Sequence, residues 1–214
     1  TRLSESVGLH SVAFGSKDIR FFAFSTKQLL HSSATSYTTR LYRGDKLIRS
    51  SDVTKQQVVH NLRMMGTWLK RMVRRGGRLE YCYHPSRGQF SSANNMIRQW
   101  MSTQAIGELE KAFPGDGYGS SWQANVQYNL GNFLVRHRER AYVLYNNKAK
   151  LGAAACAAMA LLAGTERSSY SDTILLLLAF LESMQCPDGS FRTFYVPRDR
   201  NDNQNFYSGE ALLA

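Results

Sequence analysis

The feature that most constrains this chain is an internal repeat. The stretch WLKRMVRRGGRLEYCYHP, residues 68–85, returns as FLESMQCPDGSFRTFYVP, residues 180–197, at an offset of 112 without a gap. Leu69 falls on Leu181, Met72 on Met184, Gly77 on Gly189, Tyr83 on Tyr195 and Pro85 on Pro197; carried further, the register sets Arg98 on Glu210. Both copies read as the end of a helix, a glycine turn and an extended aromatic run. In the second copy Pro187 stops the helix and Asp188-Gly189 turns the chain. Self-similarity at a fixed period marks a repeat architecture. Half of 112 is 56, and Gly152 and Gly209, 209 − 152 = 57 residues apart, each open an alanine- and leucine-rich stretch. An αα-hairpin of that length, repeated, builds a solenoid or closes into a ring.

Helical periodicity dominates from Thr54 onward. Thr54 with Gln57 forms a capping box, and Val58, Leu62, Met65, Leu69 and Met72 follow at helical spacing. Further helices are predicted from near Asn94-Asn95 to Pro114, from about Ser121 to Arg140, over LGAAACAAMALLA up to Gly164, from Ser171 to Gln185, and from near Ser208. The alanine-rich helix is apolar nearly all round and should be buried, with Met159, Leu162, Leu177 and Phe180 in the core. Residues 1–53 differ: IRFFAF and TTRLY carry strand-forming residues, and RGDK resembles a hairpin turn. The expected organisation is a small β-rich or irregular lead-in, 1–53, and an all-α hairpin-repeat domain, 54–214. SGEALLA reads as the opening of a helix at which the sequence stops, and the expectation is a domain truncated at its C-terminus.

If consecutive helices are antiparallel, the connections 75–93, 141–148 and 186–207 share one end of the molecule. Two of them are long, and long structured loops on one face carry function. Net charge is +11, which favours anionic partners, although the charge is spread. The densest patches, Lys70 to Arg78 and Arg136 to Arg140, are expected to be solvated helix faces. Three cysteines without a CxxC pair do not make a disulfide framework, and Cys156 reads as a small core residue. Cys82 and His84 alternate as two ligands of a zinc site would, without the remaining ligands. No cofactor or metal is called. The apolar run Ile174 to Leu181 is too short to span a bilayer. Nucleic-acid binding has charge behind it and no motif.

The segment FLESMQCPDGSF resembles the Q-x-x-DG-S-F/W element of α/α-toroid proteins, which include terpene cyclases, prenyltransferase β-subunits and six-hairpin glycosidases and epimerases. The wider pattern, GRLEYCYHP, NNMIRQ, LGAAA, DGSFRTFY and FYSGEALLA, is similar to a bacterial six-hairpin family of poorly defined activity. The resemblance covers residues 54–214. It implies an α/α toroid or part of one, acting on or binding a carbohydrate, and an acidic one in view of the charge. The first copy departs from the element, with Gly76-Gly77 in place of Asp-Gly and Val73 in place of Gln185.

The loop-rich end collects the candidate residues. Tyr83, Asn95 and Arg98 come from the first copy and its following helix, Tyr145 from the middle connection, and Arg192, Tyr195 and Tyr207 from the last. Tyrosine rings stack on pyranose faces and amides pair with hydroxyls, so these are assigned to substrate binding. A glycosidase needs two carboxyl groups flanking the bond. Glu210, in the first turn of a predicted helix, is the candidate nucleophile or base, its pKa lowered by the macrodipole, with Asp188 and Asp202 as partners. The competing readings are that Asp188 serves its turn, that Asp202 is solvated, and that Glu210 pairs with Arg98. The function classes carried forward are a glycosidase, lyase or epimerase of an acidic glycan, a non-catalytic glycan- or protein-binding helical module, and a terpenoid cyclase- or prenyltransferase-like protein. For the last, DRNDN at 199–203 is the sole aspartate-rich run and its order is wrong for the usual clusters.

Overall fold

A computed structural model describes residues 28–32, 37–41 and 53–214. The chain divides into two compact units, Thr1–Val53 and Thr54–Ala214. In the first, β1 (Gln28–Ser32) pairs antiparallel with β2 (Tyr37–Leu41). IRFFAF and the RGDK turn lie outside the described residues.

The second unit is mixed, which overturns the all-α expectation. Its helices are α1 (Lys55–Met72), α2 (Met96–Ala112), α3 (Tyr118–Phe133), α4 (Leu151–Ala163), α5 (Ser171–Ser183) and α6 (Gln204–Leu213). The hairpin β3 (Tyr83–His84) and β4 (Gln89–Phe90) follows α1. A four-stranded antiparallel sheet in the order β5 (Leu134–His137), β6 (Arg140–Tyr145), β7 (Lys148–Lys150) and β8 (Phe194–Val196) joins the middle connection to the last. The helix expected over 121–140 therefore stops at Phe133. Sheets are not confined to the lead-in.

The alanine-rich helix explains the packing. Every residue of α4 except Met159 and Leu162 is buried, because small side chains let neighbours approach closely. Helix α4 packs on α2, α5 and α6. A Cβ on Gly107 of α2 would lie 3.0 Å from the Ala163 backbone of α4. Leu177 and Phe180 are buried as expected, whereas Met159 and Leu162 are half-buried at the edge of the core. Helix α1 departs further: Val58, Leu62 and Met65 are exposed, Met65 by 63%, and Gly66 alone of its residues is buried.

The repeat is reproduced bond for bond. In the first copy Arg74 N donates to Arg78 O, Gly77 N to Arg74 O and Glu80 N to Met72 O. In the second, Cys186 N donates to Ser190 O, Gly189 N to Cys186 O and Arg192 N to Met184 O, each pair shifted by 112. The bridge Val73–Leu79 recurs as Gln185–Phe191, and the turn glycines share one left-handed conformation, φ 85° at Gly77 and 84° at Gly189. The aspartate of the second turn is thus not needed for its backbone path. Each turn also receives a carboxamide from a later segment: Gln99 Nε2 donates to Leu79 O, and Gln204 Nε2 to Phe191 O at 2.8 Å. Behind the first turn lies a buried polar network. Asn125 Nδ2 donates to Gly77 O (2.7 Å) and Gln99 Oε1 (3.3 Å), while Asn125 Oδ1 accepts from Thr103 and Asn129.

Candidate functional site

Strands β6 and β7, with the starts of α2 and α4, line an open cavity of ≈ 190 Å³. Its polar lining is Asn94, Asn95, Tyr145, Asn146, Lys148 and Lys150, with Met96, Ile97, Val143 and Ala153 as apolar walls. Residues 94–97 at the start of α2 and Ala153 of α4 line it with residues of the middle connection, no residue of 75–93 does, and β7–β8 pairing brings 186–207 to the same sheet. The cavity has room for several waters, the scale of one small hydroxylated ligand.

Local chemistry sets each donor. Asn95 caps α2, its Oδ1 accepting from Arg98 N at 3.3 Å. Asn94 Oδ1 accepts from Asn95 N (2.8 Å) and Gln99 Nε2 (2.9 Å). With both oxygens committed, the carboxamide NH₂ groups are the donors left for a ligand. Tyr145 and Lys148 flank a two-residue turn, Asn146-Asn147, whose left-handed φ values of 48° and 55° suit asparagine. Lys150 precedes α4, and its Nζ lies 5.6 Å from the Phe194 ring and 5.9 Å from the Tyr207 ring. Burial lowers the pKa of Lys150, Lys148 and Arg200 lower it further, and Asp202 pulls the other way. Two lysines lining a cavity beside two helix N-termini favour an anion there.

Of the residues expected from the sequence, the cavity gathers Asn95 and Tyr145, and Tyr207 borders it through Lys150. The rest lie elsewhere. Tyr83 is exposed on its hairpin, 4.9 Å from Phe90 between ring centroids. Arg192 is exposed. Tyr195 packs with Tyr142 (5.0 Å) and Phe180 (5.6 Å) on the opposite face of the sheet from Phe194. Lys148 was not among the expected residues; its alternation with Lys150 across a short strand was the available signal.

The three carboxylates do not converge on the cavity. Asp188 Oδ1 accepts from Ser190 N (3.0 Å) and Ser190 Oγ (2.7 Å), bonds that hold its carboxyl below the usual range. Asp202 Oδ2 accepts from Arg200 at 2.6 Å, which also lowers its pKa. Glu210 lies against α4, where a Cβ on Gly152 would overlap its Oε2. That oxygen is buried without a hydrogen-bond partner among the described residues. Arg98–Glu210 is not an ion pair, those among the described residues being Arg63–Asp116, Arg74–Glu80, Lys111–Glu108 and Arg200–Asp202. The expected pKa direction is reversed. Helix α6 starts at Gln204, so Glu210 sits beyond the first turn and outside the reach of the macrodipole. Burial pushes its carboxyl above the usual range, with Arg98 opposing. Burial likewise pushes the Cys156 thiol up to about 12, and the Glu210 charge adds to it.

The Glu210 shift has a definite sign for stability. A carboxyl raised on folding binds its proton more tightly in the native state, so stability falls as pH rises from the ordinary value through the folded one. Glu210→Gln should remove that fall. Urea titrations should find the variant more stable than the parent at pH 7 by up to about 1 kcal/mol, allowing for screening at a half-buried site, and no more stable at pH 4. A variant less stable at pH 7 would mean that the charge is stabilised by the fold.

Among the described residues no helix is long and apolar enough to cross a membrane, and no group of three His, Cys, Asp or Glu could hold a metal ion. No family model, curated protein or solved structure matches the chain.

Proposed function

We propose that the second unit is a binding module for a small acidic polyol, such as a uronic acid or the acidic terminus of a glycan, and that the cavity beside the starts of α2 and α4 is its site. The observation that carries this is the lining: two lysines, three asparagines and a tyrosine, with no carboxylate. Lys148 and Lys150 take the ligand's charge, Asn94 and Asn95 donate to its hydroxyls, and Tyr145 offers a ring face. Binding rather than hydrolysis is favoured because the pair of carboxyl groups that glycoside hydrolysis requires does not meet here.

Calorimetric titration with glucuronate and with glucose tests the assignment. Glucuronate should saturate one site, with glucose at least ~10-fold weaker, and Lys150→Gln should weaken glucuronate ~10-fold while leaving glucose unchanged. Equal affinity for the two sugars, or glucuronate binding insensitive to Lys150→Gln, would refute the site.

A further inference from the structure

A second depression, ≈ 570 Å³, opens on the other face of the same sheet. Strand β6 divides the two by alternation: Val143 and Tyr145 line the first, Arg140 and Tyr142 the second. The floor of the second is aromatic. Tyr142 and Tyr195 lie 5.0 Å apart, and each is 5.6 Å from the buried ring of Phe180. Its rim is cationic, with Arg138, Arg140 and Arg198 against one carboxylate, Glu139.

The backbone at the rim is unusual. β5 and β6 pair His137 with Arg140, so Arg138-Glu139 is a two-residue hairpin turn. Arg138 takes a left-handed φ of 54°. Such positions favour glycine, asparagine or aspartate, and the neighbouring β6–β7 hairpin follows that preference with Asn146-Asn147. An arginine here accepts backbone strain, and both Arg138 and Arg140 line the depression. Local strain of this kind gathers at ligand sites.

We propose that this groove binds a flat aromatic ring carrying a phosphate, a nucleoside monophosphate or a close analogue. The guanidinium groups of Arg138, Arg140 and Arg198 take phosphate oxygens in bidentate fashion, and the ring rests on Tyr142 and Tyr195. The groove is about three times the volume of the first cavity and falls within the usual range for small-molecule sites. Arg136, at the base of the hairpin, is committed elsewhere, donating to Thr173 Oγ1 at 2.7 Å.

The test is a titration of the whole chain with AMP, inorganic phosphate and glucose 6-phosphate, read by tyrosine fluorescence and calorimetry. AMP should saturate one site at least ~10-fold more tightly than either of the others. Arg140→Gln should weaken AMP by ~10-fold. Arg138→Gly should also weaken AMP several-fold while leaving the thermal midpoint unchanged or higher, since glycine removes the strain along with the charge. Lys150→Gln, which alters only the first cavity, should leave AMP binding intact. Inorganic phosphate or glucose 6-phosphate binding as tightly as AMP, no saturable AMP binding, or AMP affinity unmoved by both arginine variants would overturn the proposal.

Discussion

Phe180→Ala is expected to destabilise the second unit by ~3–5 kcal/mol, the range for an aromatic deleted from a packed core. Phe180 is 1% exposed, lies on α5 and contacts the rings of Tyr142 and Tyr195 on β6 and β8. It is the contact through which a helix and two sheet connections share one core. Each aromatic pair adds ~0.5–1.5 kcal/mol beyond area burial, so the loss should sit in the upper part of the range. Denaturant unfolding should report it in the midpoint, and the thermal midpoint should drop by on the order of 10 °C. A loss under ~1 kcal/mol would show that the rings do not pack as described.

The second large effect comes as a matched pair. Gly77→Ala and Gly189→Ala place a methyl group at equivalent turns with nearly the same φ, 85° and 84°. The left-handed conformation costs either alanine ~1–2 kcal/mol. At Gly189 nothing else lies within 4 Å, and the loss should stop there. At Gly77 the new Cβ would collide with the Ala124 carbonyl oxygen and lie 2.8 Å from Tyr128 Cβ. A backbone atom of α3 cannot swing aside as a flexible side chain can. The shift would also strain the bond from Asn125 Nδ2 to Gly77 O. The total at Gly77 should reach about 3 kcal/mol or more, once overpacking is added to conformation. Because φ is shared, the difference between the two variants isolates the steric part. Equal losses would mean that the first turn is not wedged against α3.

Much of this fold was legible because its determinants are local. Thr54 and Asn95 accept the capping bonds their sequence positions call for, at Gln57 N and Arg98 N. Gly164 ends α4 where the apolar run ends. The turn repeat needed no tertiary information, since its hydrogen bonds close within each copy. The β5–β6 hairpin was not legible. RHRER is good helix-forming sequence, and its turn carries Arg138 where a hairpin signal would place glycine or asparagine. Its strands are held instead by β7 and β8, the latter about 50 residues away in the chain, which no local pattern announces. The same miss turned Arg136 to Arg140 from a hairpin into an expected helix face. Of the expected site residues, Asn95 and Tyr145 line one cavity, although the sheet between α3 and α4 breaks the simple alternation of helices from which they were grouped. Asp188 and Asp202 lie outside the cavity lining, and Ser190 and Arg200, each two residues away, satisfy them within their own loops. Glu210 was misjudged because QNFY reads as loop, although it forms the first turn of α6.

The two turn copies differ in how far the chain travels before a carboxamide returns to them. Gln99 reaches Leu79 O after 20 residues, and Gln204 reaches Phe191 O after 13. The clasp therefore fixes where a connection starts and where its helix begins, and leaves the length between them free. Insertions can accumulate in that interval without loosening either anchor. In the first copy the interval holds a β-hairpin, and in the second it holds a strand that completes a sheet. The same turn and the same kind of clasp thus frame two connections of different length and different secondary structure.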